Sequence, residues 1–120
     1  MTLKEKSKQN WKVGIQRYCA KEYDIAANRL YYALFQAAKE CILQNDKKVK
    51  EKDVDHFFVQ NDVSTYVHQV KAVYEVYGRM KKYRKTADYK PFSVNPEEFS
   101  QAFVQEIEKM HQELITAIEG

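Results

Sequence analysis

Glycine and proline are scarce in this chain, three and two among 120 residues. So few turn-formers cannot punctuate a protein of many short strands, and their rarity favours a few long helices. Cysteine offers no framework. Cys19 and Cys41 both fall at apolar positions of helical patterns, where a thiol reads as a small buried hydrophobe in a reducing compartment. No Cys/His spacing, His pair or His–carboxylate set suits a metal, and no metal or other cofactor is expected. G-x-S-x-G and a phosphate-binding glycine loop are missing, and the carboxylates are scattered among lysines as solvated surface charge. No apolar run reaches membrane-spanning length. The opening MTLKEKSKQN is charged and lacks the apolar core of a signal peptide, so a cytoplasmic protein with no membrane partner is expected. Strong charge of one sign is missing as well. A net +3 permits a nucleic-acid partner without demanding one.

What is present is helix. With 44 % hydrophobic and 31 % charged residues, the chain reads as one compact domain over residues 1–120. Its centre is DIAANRLYYALFQAAKECIL, Asp24 to Leu43, which has no Gly or Pro and is rich in Ala. From Ile25 to Phe35 its apolar residues cover most of the cylinder, so other helices, in this chain or in a second copy, must surround it. Asp24 is the expected N-cap. A first helix, Leu3 to about Lys21, turns Trp11, Ile15, Tyr18 and Cys19 inward, and Gly14 beside them either lets a neighbouring helix approach closely or simply costs about 1 kcal/mol of helix propensity. The short joint Glu22-Tyr23-Asp24 makes these two helices an antiparallel hairpin.

The polar run KKVKEKD, residues 47–53, reads as a solvated loop. Asp53 is the expected cap of a short helix that carries Val54, Phe57 and Phe58 to the core. Ser64 then caps a long helix from Thr65 to about Ala87, with Tyr66, Val70, Val73, Tyr77 and Met80 as its apolar stripe. In the linker KPFSVNP, Asn95 and Pro96 form an N-cap and first helical position, with Glu97 and Glu98 in the first turn. The final helix turns Phe99, Phe103, Ile107, Met110, Leu114 and Ile118 inward. The fold class is all-α: an up-and-down four-helix bundle with one additional short helix.

Arg84 is the most informative polar position. At about 100° per residue it lies within about 40° of each residue in its helix's apolar stripe, not on the basic face. A guanidinium does not shed its charge, so at a desolvated position it needs a carboxylate or a phosphate. A salt bridge to Asp88, Asp24 or a glutamate of another helix is one reading. An anion-binding arginine in a groove or at a dimer interface is the other. Around it, KKYRKTADYKP mixes Lys81, Lys82, Lys85 and Lys90 with Tyr83 and Tyr89, a composition that attracts phosphates and stacks bases, though basic residues also complement a helix C-terminus. Arg29 and Tyr32 form a second polar break, in the central helix, and read as a structural network or a site. Among the histidines, His68 belongs to a solvated face, His111 flanks an apolar stripe and His56 sits at the edge of the core.

EYDIAANRLYYALFQAAKECIL, followed by YRKTADYKP and a final helix, resembles the HEPN domain family over roughly Trp11 to Ile118. The resemblance rests on an R-x-YYA-x-F-like central helix after an acidic joint. It also rests on a histidine opening the short third helix, His56 here, and on an R-x-x-A-D-Y-like helix end at Arg84, Ala87, Asp88 and Tyr89. It implies a helical bundle that forms a homodimer, and a role as an RNase of toxin–antitoxin or other defence systems, as a non-catalytic binder of RNA or a nucleotide, or as the partner of a small nucleotidyltransferase. The ribonuclease members carry an R-x(4–6)-H motif whose arginines and histidines meet across the dimer. Where that histidine falls after Arg84 stand Tyr89, Lys90 and Pro91. A tyrosine with an ordinary pKa near 10 is a poor general base at neutral pH. No catalytic residue is therefore assigned, and the expected function is a dimeric, non-catalytic module that binds RNA, a nucleotide or a partner protein. Arg84, Asp88, Tyr89, Arg29, Tyr32 and His56 are its candidate binding residues. The alternatives are a divergent metal-independent RNase using Arg84 with Tyr89 or His56, and a structural accessory subunit of a nucleotidyltransferase.

Overall fold

The computed structural model describes residues 1–89 and 94–120. Those residues are helical and contain no strand: α1 (Leu3–Cys19), α2 (Tyr23–Asn45), α3 (His56–Asp62), α4 (Val73–Tyr89) and α5 (Gln101–Glu119), with 3-10 turns at Glu51–Asp53 and Val63–Thr65. The bundle of four long helices and one short one thus matches its expectation. Helix α2 packs against each of the other four. Its Ala26, Ala27, Leu30, Tyr31, Ala33, Leu34, Ala37, Ala38 and Cys41 lose all contact with solvent, as an apolar surface wrapped around most of a helix requires. None of the described helices is long and apolar enough to cross a membrane.

The tightest contact is between α1 and α2. A Cβ on Gly14 would stand 2.5 Å from Leu30 Cδ2 and 3.2 Å from the Leu30 backbone nitrogen. Leu30 is fully buried and cannot swing aside. Gly14→Ala gains about 1 kcal/mol of helix propensity but overpacks this contact, which costs about 1–3 kcal/mol. A net fall in Tm of roughly 5 °C is expected by thermal melt. An unchanged or raised Tm would show that the two helices have room to separate.

Several local expectations are corrected. Helix α2 begins one residue before Asp24, and the Glu22 side chain at its N-cap position caps no backbone N–H but accepts from Arg17 Nη1 at 3.0 Å. The Asp24 carboxylate instead accepts from the backbone N–H of Val94 at 3.2 Å, tying the start of α2 to the approach of α5. Ile25 is 48 % exposed, so the apolar surface of α2 has a gap there. Cys19, in the last turn of α1, is exposed, whereas Cys41 is buried and both thiols are free. The cap of α3 is Asp55, not Asp53: its side chain accepts from Phe58 N–H, while Asp53 ends the preceding 3-10 turn. Phe57, expected inside, is 65 % exposed, because the later start rotates Val59 to the core in its place.

Helix α4 begins at Val73, not at Thr65 behind a Ser64 cap. Glu113 of α5 explains the difference. Its carboxylate accepts from the backbone N–H groups of His68 and Gln69, so residues that would have opened a helix spend their donors on a side chain of α5. Val67 and Val70 are still buried from this irregular segment. Ala72, with φ +53°, then turns the chain into α4. The Asn95–Pro96 signal makes an isolated turn, not the helix start. Asn95 accepts from Glu97 N–H through its side chain and from Phe99 N–H through its carbonyl. Ser100 is the cap of α5. The extra turn drives Phe99, fully buried, among the rings of Tyr18, Tyr83 and Phe103. Lys90 and most of the KPFSVNP linker, residues 90–93, lie outside the described residues.

Candidate nucleic-acid interface

On one side of the bundle α2, α3 and α4 bring an arginine, a histidine and several aromatic rings together. The Arg84 side chain is only 13 % exposed. Its guanidinium carbon lies 5.2 Å from the Tyr31 ring centre and 5.8 Å from that of Tyr32, within cation–π range of both. Nη1 donates to Asp88 Oδ2 at 3.1 Å, one turn along α4. The other oxygen of Asp88 accepts from Asn28 Nδ2 of α2 at 2.9 Å. The Arg84 Nε is buried and has no hydrogen-bond partner among the described residues. Burial alone would lower the pKa of Arg84. The hydrogen bond to Asp88 and the adjacent tyrosines outweigh it and hold the pKa above its ordinary value.

His56, the first residue of α3, meets the same group from the other side. Its ring stacks on Phe35 at 4.2 Å and lies edge-on to Tyr32 at 6.1 Å. Its Nδ1 is hydrogen-bonded to the Tyr31 hydroxyl, which in turn accepts from the Tyr77 hydroxyl at 3.4 Å. Burial pushes the His56 pKa below its ordinary value, and the charges of Arg84, Lys81 and Lys39 add to that more than Asp55 offsets. At neutral pH the ring is uncharged. Burial raises Tyr31 to about 12, with the Tyr77 hydrogen bond and the Arg84 charge pulling the other way, so this hydroxyl keeps its proton throughout the physiological range.

Of the six candidate residues, Arg84, Asp88, Tyr32 and His56 therefore meet in one cluster. Tyr89 follows directly but stands out in solvent, 79 % exposed. Arg29 lies elsewhere. It is exposed, and its Nη1 donates to Asn10 Oδ1 of α1 at 3.2 Å, so the one-turn spacing to Tyr32 makes no buried network. The reach of the arginine side chain toward α1 decides this, because Asn10 also binds Gln36 and offers a ready acceptor. Sequence reasoning missed Tyr31 and Tyr77, which read as plain core positions, and Asn28. The available signal was chemical. Two tyrosines on buried stripes, where phenylalanine would serve packing equally well, bring hydroxyls that must find partners.

No group of acidic, His or Cys side chains suited to a metal occurs among the described residues. The cluster offers a fixed guanidinium, a neutral imidazole and an aromatic wall. Compared with models of protein families, the chain matches the HEPN domain over residues 1–119. No curated protein and no solved structure matches it.

Proposed function

The chain belongs to the HEPN domain family, and we propose that it is a non-catalytic member that binds single-stranded RNA as a homodimer, through phosphate contacts at Arg84. The observation that carries this reading is the guanidinium itself. It is nearly buried, braced by two tyrosine rings, and opposed among the described residues only by the partly exposed Asp88 already shared with Asn28. Such a group is oriented for a phosphate and retains capacity to bind one. Asp88 and Asn28 act as its positioning residues, Tyr32 as a surface for a base, and Lys81 and Lys85 as additional charge on the same helix. The homodimer reading is supported by the apolar groups left exposed around this face: Ile25 one turn before Asn28 on α2, and Phe57 beside His56. Family members commonly dimerise, which agrees with it.

The test is fluorescence anisotropy with a labelled single-stranded RNA, in chelator, over a range of salt. Binding that weakens steeply with salt and leaves the RNA intact is expected, from a protein that sediments as a dimer. No binding at low salt, from either the free chain or a complex with a nucleotidyltransferase, would overturn it. A second reading, a divergent RNase, draws on the meeting of His56 and Arg84 at Tyr31, though they come from different helices. Cleavage that disappears in both Arg84→Met and His56→Ala would replace the first reading with the second.

A further inference from the structure

The Tyr31 oxygen accepts from the Tyr77 hydroxyl, and the charge of Arg84, whose guanidinium lies over the Tyr31 ring, acts on the same group, so a donor and a nearby cation already serve its lone pairs. Its own proton needs an acceptor, and His56 Nδ1 is the one hydrogen-bonded to it. Were Nδ1 protonated, Tyr31 would receive one more donor and its hydroxyl proton would have nowhere to go. Tyr77 cannot take it without turning round its own hydroxyl in a fully buried site, where an unsatisfied donor costs about 1–3 kcal/mol. The ring stacked on Phe35 holds the imidazole in that register.

We infer that the buried pair Tyr77–Tyr31 acts as a positioning relay that fixes His56 in its Nε2–H form, so that the histidine meets the ligand as a hydrogen-bond donor to phosphate and not as a base. The inference rests on the reading of the Arg84 face as the binding site, and it deepens that reading. A neutral Nε2–H donates to a phosphate oxygen but has no lone pair to take a 2′-hydroxyl proton, whereas the nitrogen that has one is sealed against Tyr31. The charged groups facing the ring are Lys39 from α2, Asp55 beside it at the head of α3, and Lys81 and Arg84 from α4. Three cations to one carboxylate oppose an imidazolium, so the donor form persists through neutral pH.

The experiment is a long-range proton–nitrogen correlation spectrum of the uniformly 15N-labelled protein at neutral pH, with the His56 ring assigned by its loss in His56→Gln. Wild type is expected to show an unprotonated Nδ1 and a protonated Nε2. In Tyr31→Phe the two nitrogens should move toward an averaged tautomer mixture and the His56 titration should move upward, because the neutral form has lost its donor. Tyr77→Phe, which removes only the outer link, should shift both in the same sense by less, and serves where Tyr31→Phe does not fold. Tyr31→Phe should also weaken the labelled RNA several-fold. A protonated Nδ1 in wild type, or a tautomer unaffected by both variants, overturns the relay. The two readings fail separately: the wild-type spectrum decides the relay whether or not RNA binds, and RNA binding decides the site whatever the tautomer.

Discussion

Arg84→Met is expected to leave the protein about as stable as wild type while cutting RNA affinity by about ten- to a hundredfold. The two halves have different causes. On the stability side, the substitution removes an ion pair one helical turn long whose acidic member is a third exposed. Pairs of that kind contribute about 0–1 kcal/mol. Asp88 keeps its hydrogen bond from Asn28. The buried Nε, which has no partner among the described residues, disappears with the guanidinium, and the methionine retains most of the contact with Tyr31 and Tyr32. On the binding side, one lost charge-assisted phosphate contact is worth about 1.5–3 kcal/mol, which is about ten- to a hundredfold in Kd. The salt dependence of binding should fall in slope by about 1. Urea titration and anisotropy on the same preparation separate the two. A loss of about 3–5 kcal/mol of stability with RNA affinity unchanged would mark Arg84 as a structural strut whose removal orphans a buried charge.

This outcome bears on how much of the molecule was legible in its sequence. The helices and their inward faces follow from periodicity, which is local and strong here. Residues that pack α5, such as Ile107 and Leu114, fall where the pattern places them, fully buried. Helix starts proved harder, because a cap is a choice between competing partners. Asp24, Ser64 and Asn95 all have capping chemistry, yet the first is drawn to Val94, the second is bypassed once Glu113 claims the donors of the following segment, and the third makes a lone turn. Each choice depends on a residue distant in sequence. The cluster was half legible for the same reason. The stripe position of Arg84 is local information, and its near burial follows from it. That His56 would meet it through Tyr31 depends on where α3 docks, which no spacing encodes.

Acidification offers the other large effect, on the opposite side of the bundle. Ser7 of α1 is fully buried, and its hydroxyl donates to the Ala33 carbonyl at 2.6 Å. With its proton committed there, Ser7 Oγ accepts from His111 Nε2 at 2.8 Å, and the imidazole lies flat on Trp11 at 4.6 Å. His111, at the flank of the apolar stripe of α5, is thus a buried link among three helices. Burial and the nearby Lys8 push its pKa from the ordinary 6.5 down to about 4. The unfolded chain therefore takes up this proton first as pH falls. The contribution of neutral His111 is fully present above about pH 6.5, declines between 6.5 and about 4, and is flat below that. At about 1.4 kcal/mol per pKa unit the loss is about 3 kcal/mol, a large share of the stability of a small domain. The Ser7 bond survives protonation, since Nε2 carries its proton in both forms. What lowers the stability is the cost of holding a cation in the core beside Lys8. His111→Gln keeps a donor for Ser7 and carries no titrating group, so it should be less stable than wild type near pH 7.5 but lose less on acidification. Urea unfolding of both proteins at intervals from pH 7.5 to 4 measures the difference. Parallel stability profiles for the two would mean that His111 is protonated as readily in the folded protein as in the unfolded chain.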